Sequence, residues 1–201
     1  MSVPYIYSVT ETRLGFAPLV EGLTAGTHGP IILGAHARPK VTLVSWALFD
    51  QMRDELSVLD VLRAVPTLAE RTTHPSGAGY AAVGALTGSP STETIRFWPD
   101  VVGDLRGGAA PGVDDTINAI LAGVLDGEPL VDNRLTGQWA WFLVTHTTGT
   151  NVAIAHYVIW RHVGSELELV AVLPASDTVA RAWQPSPDPE ADDRETAPAE
   201  N

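Results

Sequence analysis

Four stretches decide how the first quarter of the chain folds. They are Tyr5-Ile-Tyr-Ser-Val-Thr-Glu-Thr-Arg-Leu14, Pro30-Ile-Ile-Leu33, Pro39-Lys-Val-Thr-Leu-Val-Ser45 and Trp46-Ala-Leu-Phe-Asp-Gln-Met-Arg53. They read as a strand, a helix, two short strands and a second helix. In the first strand Ile6 and Ser8 share one face, and Tyr5, Tyr7 and Val9 the other. Thr10 is the expected N-cap of the helix, with Glu11 in the first turn, where the helix dipole favours a carboxylate. Leu14, Ala17 and Val20 recur at helical spacing, as do Phe16, Leu19 and Leu23, and Gly26 marks the end. Pro18 falls inside that pattern. A regular helix would lose about 3 kcal/mol there, so the helix kinks or begins late. Pro30–Leu33 and Val41–Val44, joined by 34–40, have the form of a hairpin. Ser45 caps the next helix, whose apolar stripe of Leu48, Met52, Leu56, Leu59 and Leu62 continues to about Val65, where Pro66 interrupts it.

Composition narrows the class. The chain has 201 residues, 45% of them hydrophobic, which is enough for one ordinary domain or two small ones. It has no run of 18 apolar residues and no basic-then-apolar leader, so neither a membrane span nor a signal peptide is expected. The absence of cysteine excludes disulfides and thiolate metal sites and fits a cytoplasmic location. A net charge of −12 argues against nucleic acid as a partner of the whole chain. The charge is uneven, however. Residues 1–45 carry Arg13, Arg38 and Lys40 against Glu11 and Glu21, whereas 185–201 carry six acids against Arg194.

The wording of the head is distinctive. Ser8-Val-Thr-Glu-Thr-Arg13, an apolar helix, then Arg38-Pro-Lys-Val-Thr-Leu-Val-Ser45 with a helix starting after that serine, resembles the Phd/YefM antitoxin family. The resemblance implies a dimeric DNA-binding fold, β-α-β-β-α, over residues 1–56. It also implies that the following helix, 57–71, is a toxin-clasping segment, for which the plainer reading is a helix buried on its own domain. Arg13 matches the arginine of the family's T-E-A-R helix. Arg38 and Lys40 lie where the family has R-x-G-K-P, although no glycine separates them here. Thr10, Thr12, Arg13, Arg38 and Lys40 are therefore the implied DNA contacts, with operator DNA as the implied partner.

Residues 72–92, rich in Gly, Ala, Ser, Thr and Pro, read as a linker. Behind them Thr94–Trp98 reads as a strand, Asp100–Arg106 as a short helix opened by Pro99, and 113–125 as a longer helix. Three strands follow, in 139–144, 152–160 and 167–173. Residues 185–201 read as a disordered acidic tail. The order β-α-α-β-β-β over 93–184, with Trp98-Pro-Asp-Val-Val-Gly-Asp-Leu105, Arg134-Leu-Thr-Gly137 and Ala155-His-Tyr-Val-Ile-Trp160, resembles the RelE/ParE toxin fold. The expected fold class is thus α+β, a Phd/YefM-like domain fused to a RelE/ParE-like domain with an antiparallel sheet.

Ribonucleases of the resembled class work without metal, using several cations with a tyrosine or histidine to hold RNA and stabilise charge developing on phosphate. In this chain no lysine follows Lys40. The matching strand positions Trp141, Phe142 and Leu143 are apolar, and 93–184 holds five arginines against eleven acids. Ribonuclease activity is expected to be lost. His156, Arg161, His162 and Arg181 are what remain as candidates for a base and phosphate-binding cations, against the plainer reading of sheet histidines and solvated arginines. His146, His156 and His162 lack the spacing of metal ligands, so no metal and no cofactor is expected. Leu59, Leu62, Val65 and Leu68 form a stripe too apolar to leave in water, expected to contact the rear domain within one chain or swapped between chains.

Three functions follow as expectations. The first is a fused type II antitoxin–toxin protein whose head dimerises, binds DNA and regulates transcription while the rear domain is neutralised or degenerate. The second is a structural or assembly module without either activity. The third is an active ribosome-dependent ribonuclease held by its own head. The expected partners are DNA, the chain itself as a dimer or higher homo-oligomer, and no membrane.

Overall fold

The computed structural model describes residues 6–35, 38–73, 77–107, 111–147 and 153–182. The chain is α+β, with two sheets, and divides into compact units at the junction of Glu55 and Leu56. Among the described residues no helix is long and apolar enough to cross a membrane.

The first unit has the element order read from the sequence: β1 (Ile6–Ser8), α1 (Val9–Thr24), β2 (Ile31–Ala35), β3 (Arg38–Leu43) and the start of α2 (Trp46–Arg71). β2 is central, parallel to β1 and antiparallel to β3. The N-cap of α1 is Ser8, not Thr10. Ser8 and Glu11 form a reciprocal capping box, in which the Glu11 amide donates to Ser8 Oγ at 3.2 Å and the Ser8 amide to Glu11 Oε2 at 2.8 Å. Two backbone groups satisfied together outweigh the single one that Thr10 could reach. Pro18 is accommodated by a break at Gly15, where φ is −119° and ψ 22°. The helix restarts there, which puts Pro18 in a first turn, where a missing N–H costs little.

The second unit is a six-stranded sheet in the order β4-β5-β9-β8-β7-β6. Its strands are β4 (Gly79–Ala82), β5 (Thr94–Phe97), β6 (Glu128–Leu130), β7 (Gln138–Thr147), β8 (Ala153–Val163) and β9 (Glu166–Pro174). All neighbours are antiparallel except β5 and β9. Helices α3 (Val83–Thr87), α4 (Asp100–Arg106) and α5 (Val113–Leu121) supply Val83, Val101, Val113, Ile117 and Ile120 to one face, packed with Ala140, Val158, Trp160 and Val172. The other face takes Val61, Val65 and Leu68 from α2 and Val179 from α6 (Asp177–Ala182), against Trp139, Trp141, Tyr157 and Ile159.

Several boundaries differ from the sequence reading. The stretch 72–92 contains β4 and α3, and Val83 is fully buried. Small, uncharged residues gave it a linker's composition, but Val83 and Leu86 suffice to anchor it. α2 runs through Pro66, which is exposed, because Val65 and Leu68 on either side are buried. β6 adds an edge strand that the reading lacked, and α5 stops at Leu121, with Gly123 at φ 67° behind it. The tail 185–201 lies outside the described residues.

Candidate functional site

The five residues implied for DNA contact fall on α1 and β3. Register brings the two elements to one end of the small sheet. Ser8, which caps α1, pairs with Gly34, and Gly34 pairs with Pro39. Adjacent strands lie about 4.8 Å apart, so the start of α1 and the Arg38–Lys40 segment are separated by roughly 10 Å. Between Leu33↔Val41 and Gly34↔Pro39 the register shifts by one residue, which makes Lys40 the extra residue of a β-bulge. Bulges re-aim side chains. Gly34 opposite is obligatory, since a Cβ there would lie 2.2 Å from the Arg38 carbonyl oxygen and 2.8 Å from Ile6 Cγ2. Thr10, Arg13, Arg38 and Lys40 are exposed, and the three cations form no ion pair with any described residue. Thr12 is not available to a ligand. It is 6% exposed, and its hydroxyl donates to the Ser8 carbonyl at 2.8 Å.

The catalytic candidates of the rear unit are not brought together. His156 and His162 lie six residues apart on β8, about 20 Å along a strand. His156 is buried, and burial holds its imidazole below the ordinary value, whereas His162 is exposed. Arg161 points to the opposite face, and Arg181 is a solvated charge on α6, 4.0 Å from Asp177. Among the described residues no group of three or more histidine or acidic side chains is placed to hold a metal.

The sequence reading missed a polar row that crosses five strands. Register aligns Tyr80, Arg96, Glu168, Arg161 and Trp139 on β4, β5, β9, β8 and β7. Glu168, 1% exposed, accepts from Arg161 Nε at 2.8 Å and Trp98 Nε1 at 3.0 Å, and pairs with Arg96 Nη1 at 2.9 Å. The Arg161 guanidinium lies over the rings of Trp98 and Trp139, 5.2 and 5.6 Å from their centroids. At the outer end Glu166 accepts from Tyr80 Oη at 2.8 Å and Arg96 at 2.6 Å, and these two bonds hold its carboxyl below the ordinary range. The available signal was alternation: Arg96 and Trp98, Glu166 and Glu168, and Trp139 and Trp141 each sit two apart, on one face of their strands, with opposite charges free to meet across strands. Both arginines near the middle of the sheet are therefore neutralised by carboxylates.

Two further polar ties hold α2 to the rear sheet. β5 pairs with β9 only at Arg96↔Glu168 and Phe97↔Leu169, which leaves the Val172 amide without a strand partner on that side. Asp104 Oδ2 accepts from it at 3.0 Å, and Asp104 Oδ1 accepts from Arg71 at 2.8 Å. At the other end of the segment Asp60 Oδ2 accepts from the Ser176 amide at 2.8 Å and from Tyr157 Oη at 3.3 Å. Burial, then the Asp60 charge, pushes the Tyr157 phenol well above its ordinary value. Of the four expected contact residues, Val65 and Leu68 are fully buried and Leu62 is partly buried in this cluster, within one chain, while Leu59 is 51% exposed. The chain matches no protein-family model, no curated protein and no solved structure.

Proposed function

We propose that the chain is a DNA-binding transcriptional regulator of the fused antitoxin–toxin kind, with a Phd/YefM-like head and a disarmed RelE/ParE-like rear domain. The observation that carries the reading is that the start of α1, which carries Arg13 in its second turn, and the Arg38–Lys40 bulge lie at one end of the small sheet, with the three cations exposed and without carboxylate partners among the described residues. Local charge decides the partner here, because screening confines the acidic remainder to within about 8–10 Å of itself. For the rear domain, the run β5-α4-α5 followed by the antiparallel strands β7, β8 and β9 supports the fold, with β4, α3, β6 and α6 added to the expected order, and neutralisation of Arg96 and Arg161 by Glu166 and Glu168 supports loss of ribonuclease chemistry.

The test is fluorescence anisotropy with duplex DNA from upstream of the chain's own coding sequence, titrated across salt. A dimer placing three cations per chain on phosphates predicts a log–log salt slope of about −5. Arg13→Ala, Arg38→Ala and Lys40→Ala should each weaken binding and shallow the slope, while Arg181→Ala leaves both unchanged. DNA binding equal in the triple variant and the parent would exclude this site. No binding by either would leave the assembly-module reading in its place.

A further inference from the structure

Helix α2 carries a second apolar stripe, on the side of the helix opposite Val61, Val65 and Leu68. With 100° per residue, Val61, Val65 and Leu68 cluster on one side, and all are at most 1% exposed. Met52, Glu55, Leu59, Arg63 and Pro66 fall within about 80° of one another on the other side. Met52 and Leu59 are 47% and 51% exposed, with Val58 at 44% beside them. The Arg63 side chain is 77% exposed, and its one ion pair among the described residues is a 3.7 Å contact to Asp60 of its own helix. Glu55 is exposed as well.

We propose that this stripe is an interface with a second copy of the chain, in which two α2 helices pack antiparallel about a twofold axis at Leu59. The spacing is self-complementary in charge. Glu55 and Arg63 lie four residues to either side of Leu59, so antiparallel pairing sets Glu55 of each chain against Arg63 of the other. It also brings Leu59 onto Leu59 and Met52 onto Pro66. A parallel pairing in register would instead place like charges side by side. The occupant is therefore a helix with the same sequence running the other way, which the second copy supplies at equal concentration. Isologous contacts of this kind close on themselves.

The chain contains no cysteine, so single-cysteine variants of the full chain report on the twofold directly. Leu59→Cys is expected to give a covalent dimer under mild oxidation, because residues on the axis of packed helices come within disulfide reach. Thr67→Cys, exposed on the same helix, should not, since its copies would lie about 24 Å apart along the axis. Glu55→Arg and Arg63→Glu should each weaken the α2-mediated association about tenfold, and an equimolar mixture of the two should restore it as a heterodimer. Equal crosslinking at 59 and 67, or no rescue on mixing, overturns the proposal. So does a Leu59→Cys thiol shielded from maleimide in a chain that sediments as a monomer, which would place another part of the same chain on the stripe.

Discussion

Replacing Glu168 by alanine tests whether the polar row is a structural keystone of the rear sheet. The carboxylate is 1% exposed and meets three donors at 2.8–3.0 Å. Its removal leaves Arg161, with a side chain 12% exposed, charged and without its carboxylate. Breaking a buried pair by deleting one partner costs about 3–5 kcal/mol, a fifth or more of the 5–15 kcal/mol typical of a domain. Glu168→Gln keeps the shape and one acceptor but loses the charge, so its cost should be about 1.5–3 kcal/mol. Glu168→Leu combined with Arg161→Met removes both charges and should recover part of the loss, because Arg161 is no longer stranded and Arg96 keeps Glu166, although Trp98 Nε1 loses its acceptor. Urea unfolding followed by tryptophan emission measures all three, and the denaturant slope should stay constant while the midpoint falls. A Glu168→Ala variant within 1 kcal/mol of the parent would refute the reasoning. A double variant costing the sum of its single changes would refute it as well.

A chain of residues 56–182 should fold alone, whereas one beginning at residue 90 should not. The shorter piece loses β4 together with Val61, Val65 and Leu68, three buried side chains worth about 5–9 kcal/mol; far-UV circular dichroism of the two pieces distinguishes them. Acid should destabilise the rear unit through His156. Its native imidazole is held below the ordinary value, so above about pH 6.5 it is neutral in both states and contributes nothing. Below that the unfolded chain takes up a proton first, and stability should fall by up to about 1.4 kcal/mol per pH unit. His156→Gln should flatten that part of a melting temperature–pH profile. Gly127→Ala should destabilise by about 3 kcal/mol or more, since φ is +69° and a Cβ would lie 2.3 Å from Trp160 Cη2 and 2.8 Å from the Trp141 carbonyl oxygen; Gly123→Ala, with the same sign of φ but open space, should cost clearly less.

Local rules carried the head and failed where partners were distant. The β-α-β-β-α order was legible because Ile31–Leu33 and Val41–Leu43 are short apolar runs around a hairpin and Ser45 precedes a helical stripe. The capping box is also written in the sequence, since Ser8-Val-Thr-Glu11 is its signature, but Thr10, two residues on, is an equally good cap residue type by itself and only the Glu11 reciprocal bond favours Ser8. In the rear half, long apolar runs marked β7, β8 and β9. β4 and β6 escaped notice because Gly79–Ala82 and Glu128–Leu130 owe their strand geometry to neighbours rather than to their own residues. β-propensity is largely a statement about such neighbours. The polar row depended on register across five strands, and a bulge that leaves Val170 unpaired, between Ile159↔Ala171 and Trp160↔Leu169, fixes which residue of β9 meets Arg161. No pairwise spacing in the sequence encodes that shift.

The distribution of indoles makes the chain its own spectroscopic probe. Trp98, Trp139, Trp141 and Trp160 are at most 6% exposed and sit on both faces of the rear sheet, whereas Trp46 is 69% exposed. With Trp183, which lies outside the described residues, replaced by phenylalanine, iodide should quench the red-shifted component from Trp46 while leaving the blue-shifted emission of Trp98, Trp139, Trp141 and Trp160 nearly untouched. The two colours then report on opposite sides of the boundary between Glu55 and Leu56. Melting of the head and melting of the rear sheet can therefore be followed separately in one unlabelled sample.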